Sequence, residues 1–344
     1  VNALSAPLGL PVTDLPSPAN VTLAEVASAA GVGESTVSRV LRNQGSFSKS
    51  TADRVLAAVD QLGYVPNRIA GTLASAGSPL VAVVIPSLTN IVFNDVLRGA
   101  SAVLEPTGHQ AVFAVTDYDP AREATLVAAM LAWRPRAVML AGLEHTPATV
   151  RMLQANGCRV VELLDIDGTA LDLAVGFSNR EAGRASAEYL VRRGYRRIGY
   201  VGHNLERDRR AAKRFSGFCD ALAAAGTPLA DRELAPAGSS IERGRVGLGR
   251  LLARSSQIDA VYFSNDDMAL GGYFHCLAHA ISIPAQLAIF GFNGLDIVAV
   301  TPQPLATIRT PRQTVGEIAA KLVLDDAVAQ VIDLGFELIE GASA

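Results

Sequence analysis

Four positions inside one twenty-residue stretch constrain this chain more than any other feature. Counting from Leu23, the spacing places Ala27 within a first helix, Gly31 at its end, and Val37 and Val40 within a second. A small residue lets two short helices cross closely, a glycine supplies the left-handed turn between them, and the valines fill the angle. That pattern is a helix-turn-helix. The first helix is expected from Leu23 to Ala30, capped by Thr22 with Glu25 in its first turn, and the second from about Glu34 to Leu41. A third begins at Ser48 or Ser50, carries Val55, Val59 and Leu62 on one face, and stops at Gly63.

A head of this kind lays its second helix in the DNA major groove. Glu34, Ser35 and Thr36 open that helix, and Arg39 follows one turn later. Arginine pairs bidentately with guanine O6 and N7, while Ser35 and Thr36 are suited to bases or phosphate. Glu34 either accepts from cytosine N4 or faces solvent. Arg42, Lys49 and Arg68 are expected on phosphates, which position the head without reading sequence. Residues 21–75 carry a net charge of only +1, and the whole chain −3. So weakly charged a head needs a second copy on the same double-stranded operator, and a homodimer is expected.

The texture changes at Leu80. Apolar runs LVAVVIPSL, QAVFAVTD, RAVMLAGL, CRVVELLD, LAVGFS, RIGYVGH, DAVYFSN and LAIFGFNG alternate with stretches of helical spacing. Short strands alternating with helices imply βαβ units and buried parallel sheets, here two of them. The expected fold is a small all-α helix-turn-helix head on an α/β body of two doubly wound parallel-sheet subdomains. Residues 1–20 read as a Pro-rich disordered tail and 21–65 as the head.

At 49% hydrophobic and 18% charged, the 344 residues are too apolar for a largely disordered chain. Cys158, Cys219 and Cys276 lie too far apart for a zinc or CxxC pattern, and the histidines show no metal spacing, so neither metal nor cofactor is expected. No apolar run reaches the ~20 residues of a membrane helix. VNALSAPLGLPVTDLPSPAN has no basic n-region, so a cytoplasmic protein without membrane partners is expected. GxSxG, P-loop, HExxH and a strand-to-helix GxGxxG are missing, and GLGR at 247–250 lies in a helical stretch, so the chain is not read as an enzyme.

VTLAEVASAAGVGESTVSRVLRNQGSFSKSTADRVLAAVDQLGYVPNRIAGTLAS resembles the head of the lactose-repressor (LacI-type) family of bacterial transcription regulators. The resemblance continues through VAVVIPSLTNIVFNDVLRGA, VGFSNREAG, RRGYRRIGYVGH, SNDDMALGG and FGFNGLDI…PLATIRTP, covering about residues 21 to 340. SLTNIVFNDVLRG, the HTP at 145–147, VVELLD and LDLAVGF are most similar to the gluconate-operon repressors.

The resemblance implies that residues 66–78 are a hinge helix and linker, with Asn67 at the helix start and Leu73 as a wedge in the minor groove. Gly71 departs from a good helix former at a cost of roughly 1 kcal/mol relative to alanine. It further implies a periplasmic-binding-protein-like body: an N-terminal effector subdomain of residues 79–178 and 309–330, and a C-terminal one of 179–308 and 331–344. The helix over 91–104 is the expected dimer face, and LGFELIEGASA carries no leucine heptads of a tetramerising tail.

Ligands of open parallel sheets bind beyond the carboxyl ends of strands. Ser87, Asn90, Asp165, Asn265, Asp266 and Asn293 occupy such ends, with helix capping the competing reading for Ser87 and Asp266. By resemblance, Arg214 in RFSGF takes the effector-binding arginine position and Phe93 packs on the effector, while His145 and Glu162 follow the gluconate-type subgroup, with a structural hydrogen-bonding role the competing reading for both. A sugar or sugar-acid effector is expected, with Arg214 suited to a carboxylate. The expected function is a repressor on a palindromic operator, released by gluconate or a related acid. The competing reading is the sugar-binding module of a transport or sensing system, which the helix-turn-helix opposes.

Overall fold

The computed structural model describes residues 21–42, 44–65 and 78–344. The chain divides into two compact units, residues 1–76 and 77–344. In the first, α1 (Leu23–Ala30), α2 (Glu34–Leu41) and α3 (Lys49–Leu62) form a three-helix module. Thr22 accepts from the Glu25 N–H at 3.3 Å, and the Thr22 N–H donates to Glu25 Oε2 at 2.7 Å, a reciprocal capping box. Gly31 ends α1 at φ 63°, a left-handed conformation that a side chain at the turn would strain. Ser48 caps α3 by accepting from the Thr51 N–H. Val26, Ala27, Ala30, Val37, Val40, Val55 and Ala58 form the core where the helices meet.

The second unit opens with β1 (Leu80–Ile85), α4 (Ile91–Leu104), β2 (Gln110–Val115), α5 (Pro120–Leu131), β3 (Ala137–Ala141), α6 (Pro147–Asn156), β4 (Arg159–Leu163) and β5 (Leu173–Gly176). It continues with α7 (Asn179–Arg192), β6 (Ile198–Gly202), α8 (Arg209–Ala224), β7 (Asp231–Leu234), α9 (Ile241–Arg254), β8 (Ala260–Phe263), α10 (Asp266–Ala278) and β9 (Ala288–Phe290). It closes with α11 (Asp296–Ala299), β10 (Thr307–Arg309), α12 (Arg312–Leu324), β11 (Gln330–Asp333) and β12 (Glu337–Ile339).

One sheet has the order β11-β5-β4-β3-β1-β2 and another β7-β6-β8-β9, parallel throughout, with β10 and β12 a small antiparallel pair. Alternation along the strands divides the first sheet's faces. Val81, Val83, Ile85 and Met139 turn toward the buried residues of α4 and α12, whereas Ala82, Val84, Val138 and Leu140 meet Val127, Leu131 and Leu153 of α5 and α6. In the second sheet Tyr200, Tyr262 and Phe290 face α7 and α8, and Val201, Val261 and Phe263 face α9 and α10.

The eight apolar runs all form strands, and the structure adds β7, β10, β11 and β12. The boundary expected between 330 and 331 is corrected. Gln330–Asp333 pairs in parallel with β5, so the last crossing between subdomains follows Asp333. This edge strand is short, half polar and largely exposed, and therefore carries no apolar run to announce it. Among the described residues three helix pairs rest on glycine, one of them α9 with α10, where a Cβ on Gly271 would stand 1.9 Å from the Ile241 carbonyl oxygen. A Cβ on Gly316 of α12 would stand 2.0 Å from the Val96 carbonyl oxygen of α4, and one on Gly183 of α7 1.9 Å from that of Arg214 on α8.

Among the described residues no helix is long and apolar enough to cross a membrane, and no group of three His, Cys, Asp or Glu is placed to hold a metal ion. Cys276 is buried, and Cys158 and Cys219 are half-buried, so the thiols are not uniformly core residues.

Candidate functional site

Two regions concentrate polar side chains that the core does not need. On the head, burial of Val37 and Val40 rotates the remaining face of α2 outward. Glu34, Ser35, Arg39, Arg42 and Lys49 are exposed, and Thr36 is half-buried. Among the described residues Arg39 makes only long bonds within its own helix, from Nε to the Ser35 carbonyl and from Nη2 to Thr36 Oγ1, each 3.4 Å. Its guanidinium fork is thus held near the helix while staying free to engage a partner. Arg42 folds back on Ser38. Glu34 sits in the first turn of α2, where the positive end of the helix dipole favours a carboxylate. The remaining expected contacts, Asn67, Arg68 and Leu73, lie outside the described residues, as do Gly71 and the expected tail and most of the hinge.

In the body, strand ends from both sheets meet at a cleft. A cavity of about 20 Å³ at its floor is lined by Asn90, Arg214, Asn265 and Asn293, which the sequence placed on four separate elements. Asn90 caps α4 by accepting from the Val92 N–H at 3.1 Å, and Asn265 caps α10 by accepting from Met268 at 3.2 Å. Asn293 follows β9 at φ 117°, and its carbonyl accepts from Arg312. Arg214 donates from Nη1 to Asn179 Oδ1 at 2.8 Å and from Nη2 to the Ser264 carbonyl at 3.3 Å, with its guanidinium carbon 4.0 Å from the centroid of the Phe292 ring. A larger cavity of about 340 Å³, the size of a small-ligand pocket, is lined in part by Thr116, Tyr118, Glu144 and Arg210. Arg210 borders both.

The structure gives the other expected effector residues different work. Ser87 accepts from the Thr89 N–H and shapes the turn before α4. Phe93 is fully buried in the core and covered by the Arg210 guanidinium, 5.1 Å from its ring centroid. Asp165 is fully buried and pairs with Lys213, while its other oxygen accepts from Asn179 and the Asp167 N–H. Glu162 is fully buried and accepts from the Leu171 N–H at 2.6 Å. His145 places Nδ1 2.9 Å from Glu123, and Nε2 3.3 Å from Glu162, within ion-pair distance but outside hydrogen-bond geometry. Asp266 accepts from Leu295 N–H and Thr307 Oγ1, both at 2.8 Å. For Asp165 and Asp266 both carboxylate oxygens are answered by the protein itself, which leaves little for a ligand, whereas His145 Nε2 and Glu162 Oε1 are buried without a hydrogen-bond partner among the described residues.

Electrostatics sharpen these roles. Burial disfavours a charged His145, yet the Glu123 and Glu162 carboxylates prevail and raise its pKa to about 9. Burial pushes Asp266 up to about 6. For Asp208 burial also acts upward, but the hydrogen bond from His203 and the charges of Arg210 and Arg214 hold it far below the carboxylate range. His203 Nε2 is 3.1 Å from Asp208, and its Nδ1 2.9 Å from Ser264 Oγ. The serine is buried, and this chain of bonds braces the cleft wall.

Sequence reasoning missed Asn179, Arg210, Phe292 and Thr310 at the floor. The signals were present: Asn179 follows the end of β5, and Arg210 precedes Arg214 by one helical turn, on the same face of α8.

Residues 22–67 match the bacterial regulatory proteins of the lacI family, and residues 78–333 the periplasmic binding proteins and sugar binding domain of the LacI family. The HTH-type transcriptional regulator GntR of Pseudomonas aeruginosa is 40% identical over 325 residues, spanning 92% of this chain and 94% of that protein. GntR of Escherichia coli K12 is 38% identical, spanning 93% and 98%. The crystal structure of a LacI-family transcriptional regulator from Silicibacter pomeroyi is 45% identical, with a TM-score of 0.90 over 94% of this chain and 99% of that one.

Proposed function

We propose, from the premise that this chain belongs to the LacI family of bacterial regulatory proteins, that it is a dimeric repressor released from its operator by a sugar acid. As a member of that family it is a DNA-binding transcriptional regulator rather than an enzyme. Two α2 helices read half-sites of a near-palindrome about 34 Å apart, Arg39 pairing with guanine and Ser35, Thr36 and Glu34 bordering it. Arg42, Lys49 and Arg68 hold phosphates, and Asn67 and Leu73 belong to a hinge that enters the minor groove. The site of action is the cytoplasm, where the DNA is.

The observation that carries the effector reading is the meeting of Asn90, Arg214, Asn265 and Asn293 at one cavity between the two sheets. Paired amide donors and acceptors suit a polyol chain, and an arginine suits an acid. The likeness of SLTNIVFNDVLRG and VVELLD to the gluconate-operon repressors favours gluconate or a related aldonate. The dimer face we assign to α4: its inner side packs on α12, while Leu88 and Ile91 at its start and Val112 and Phe113 on edge strand β2 stay exposed. The effector acts only as far as it prefers the arrangement that DNA does not.

A thermal-shift screen of gluconate, related aldonates, neutral sugars and purines tests this reading, because a ligand bound by the folded state raises the melting temperature. Stabilisation by an aldonate supports it. Stabilisation by purines alone, or by nothing in the panel, overturns it.

A further inference from the structure

The body buries few charged side chains, and their partners are informative. Asp95 is held by Arg312, Asp165 by Lys213, Asp208 by His203, Arg214 by Asn179, and Asp266 by Thr307. Arg210 is buried to the same degree, 9% exposed, yet among the described residues it makes no hydrogen bond and no ion pair. The face of Phe93 lies beneath it, and the Asp208 carboxylate is near enough for the two charges to interact without a hydrogen bond. A guanidinium carries five donors and a fixed charge, and those of Arg210 meet no protein acceptor among the described residues, which leaves them to what fills the cavities it lines. Asp208, the neighbouring carboxylate, accepts instead from His203 and from the Ala211 N–H.

Position completes the case. Arg210 lines both the small cavity at the cleft floor and the larger one, as does Asp208. Arg214, the other arginine at the cleft floor, already donates from both terminal nitrogens and lies against Phe292, with its Nε buried and unpartnered, while Arg207 and Arg209 on the larger cavity are exposed. Tyr118, Glu144 and Thr116 offer hydroxyl and carboxylate groups along the larger cavity.

We infer that Arg210 receives the carboxylate of the effector, a polyhydroxy monocarboxylic acid, and that Arg214 is a positioning residue that braces the cleft floor. This rests on the reading of the cleft as an effector site. It moves the acid-recognising role from the arginine that the family resemblance singled out to one a turn earlier. A bidentate pair there orients the ligand with its acid end toward the cleft floor and its hydroxyl chain along the larger cavity.

Calorimetric titration of the full chain with D-gluconate, three other aldonates, glucitol and glucose 6-phosphate tests it, on wild type, Arg210→Met, Arg210→Lys and Arg214→Met. Charged hydrogen bonds of this kind correspond to about 10- to 100-fold in affinity. Arg210→Met is expected to lose that factor for the aldonate that wild type binds best, and to change glucitol binding less than threefold. Arg210→Lys, which keeps the charge without the fork, recovers only part of the loss. Arg214→Met is expected to weaken acid and neutral ligands alike. Aldonate binding that survives Arg210→Met in a protein melting like wild type overturns the assignment alone. A wild type that binds no aldonate overturns the effector reading with it, and a preference for glucose 6-phosphate overturns the carboxylate.

Discussion

Lys213 of α8 and the fully buried Asp165 beyond β4 form an ion pair across the cleft, tying the two parallel-sheet subdomains together. The same ammonium reaches Glu144 at 2.6 Å. Burial opposes charge on Lys213, but the two carboxylates outweigh it and its pKa rises. Removing one partner of a buried pair leaves the other charge unanswered in a poorly solvated place, at a cost of about 3 kcal/mol. Lys213→Met should therefore lower the melting temperature of the body by roughly 5–10 °C. Adding Asp165→Asn should restore part of the loss, because the orphaned charge is gone. A single variant that melts like wild type would show that the pair holds nothing.

His145 gives the N-terminal subdomain a pH signature. Its pKa in the fold, about 9, lies above the 6.5 of free imidazole, so the protonated ring favours the folded state. That contribution is whole below pH 6.5, shrinks as pH rises, and is gone once the ring has titrated near 9. Its size is roughly 3 kcal/mol. Denaturant unfolding between pH 6 and 9.5 should show stability falling over that window in wild type and a flatter profile in His145→Gln. Equal slopes in the two proteins would contradict the buried charge.

Much of the fold was legible because its elements are locally self-consistent. Thr22, Gly31 and Gly63 mark helix ends by capping chemistry, and strands buried on both faces announce themselves as apolar runs. The strands that escaped, such as Asp231–Leu234, are three or four residues long and half polar, with neighbours rather than their own pattern holding them in place. The strand-end rule picked out Asn90, Asn265 and Asn293, which line the floor cavity, and also Asp165 and Asp266, which do not. A carboxylate at a strand end serves a ligand or the protein equally well. What decided between them were Lys213 and Thr307, 48 and 41 residues away in sequence. Arg210 was hidden for the converse reason, since its lack of a partner is visible only once the surroundings are in place.

The glycine on which α4 and α12 cross should tolerate no side chain. A Cβ on Gly316 meets the Val96 carbonyl oxygen at 2.0 Å, and backbone in a packed helix cannot retreat as a flexible side chain does. Gly316→Ala should cost about 3 kcal/mol through the forced separation of the helices. Gly335, whose Cβ would meet nothing within 4 Å, stands at φ 64° and makes an informative control. Its alanine variant suffers backbone strain alone, about 1 kcal/mol. Equal melting temperatures for Gly316→Ala and wild type would contradict the close crossing.

The most direct test of the whole account is selection of duplexes from a randomised DNA pool by the purified chain at low ionic strength, with Arg39→Ala in parallel. Wild type should enrich a near-palindrome whose half-sites lie about one helical turn apart and carry a guanine facing Arg39. The variant should lose discrimination at that base by roughly 1–3 kcal/mol while still binding DNA through its phosphate contacts. Enrichment of no sequence by wild type, or of the same sequence equally by both proteins, would contradict a DNA reader built on α2.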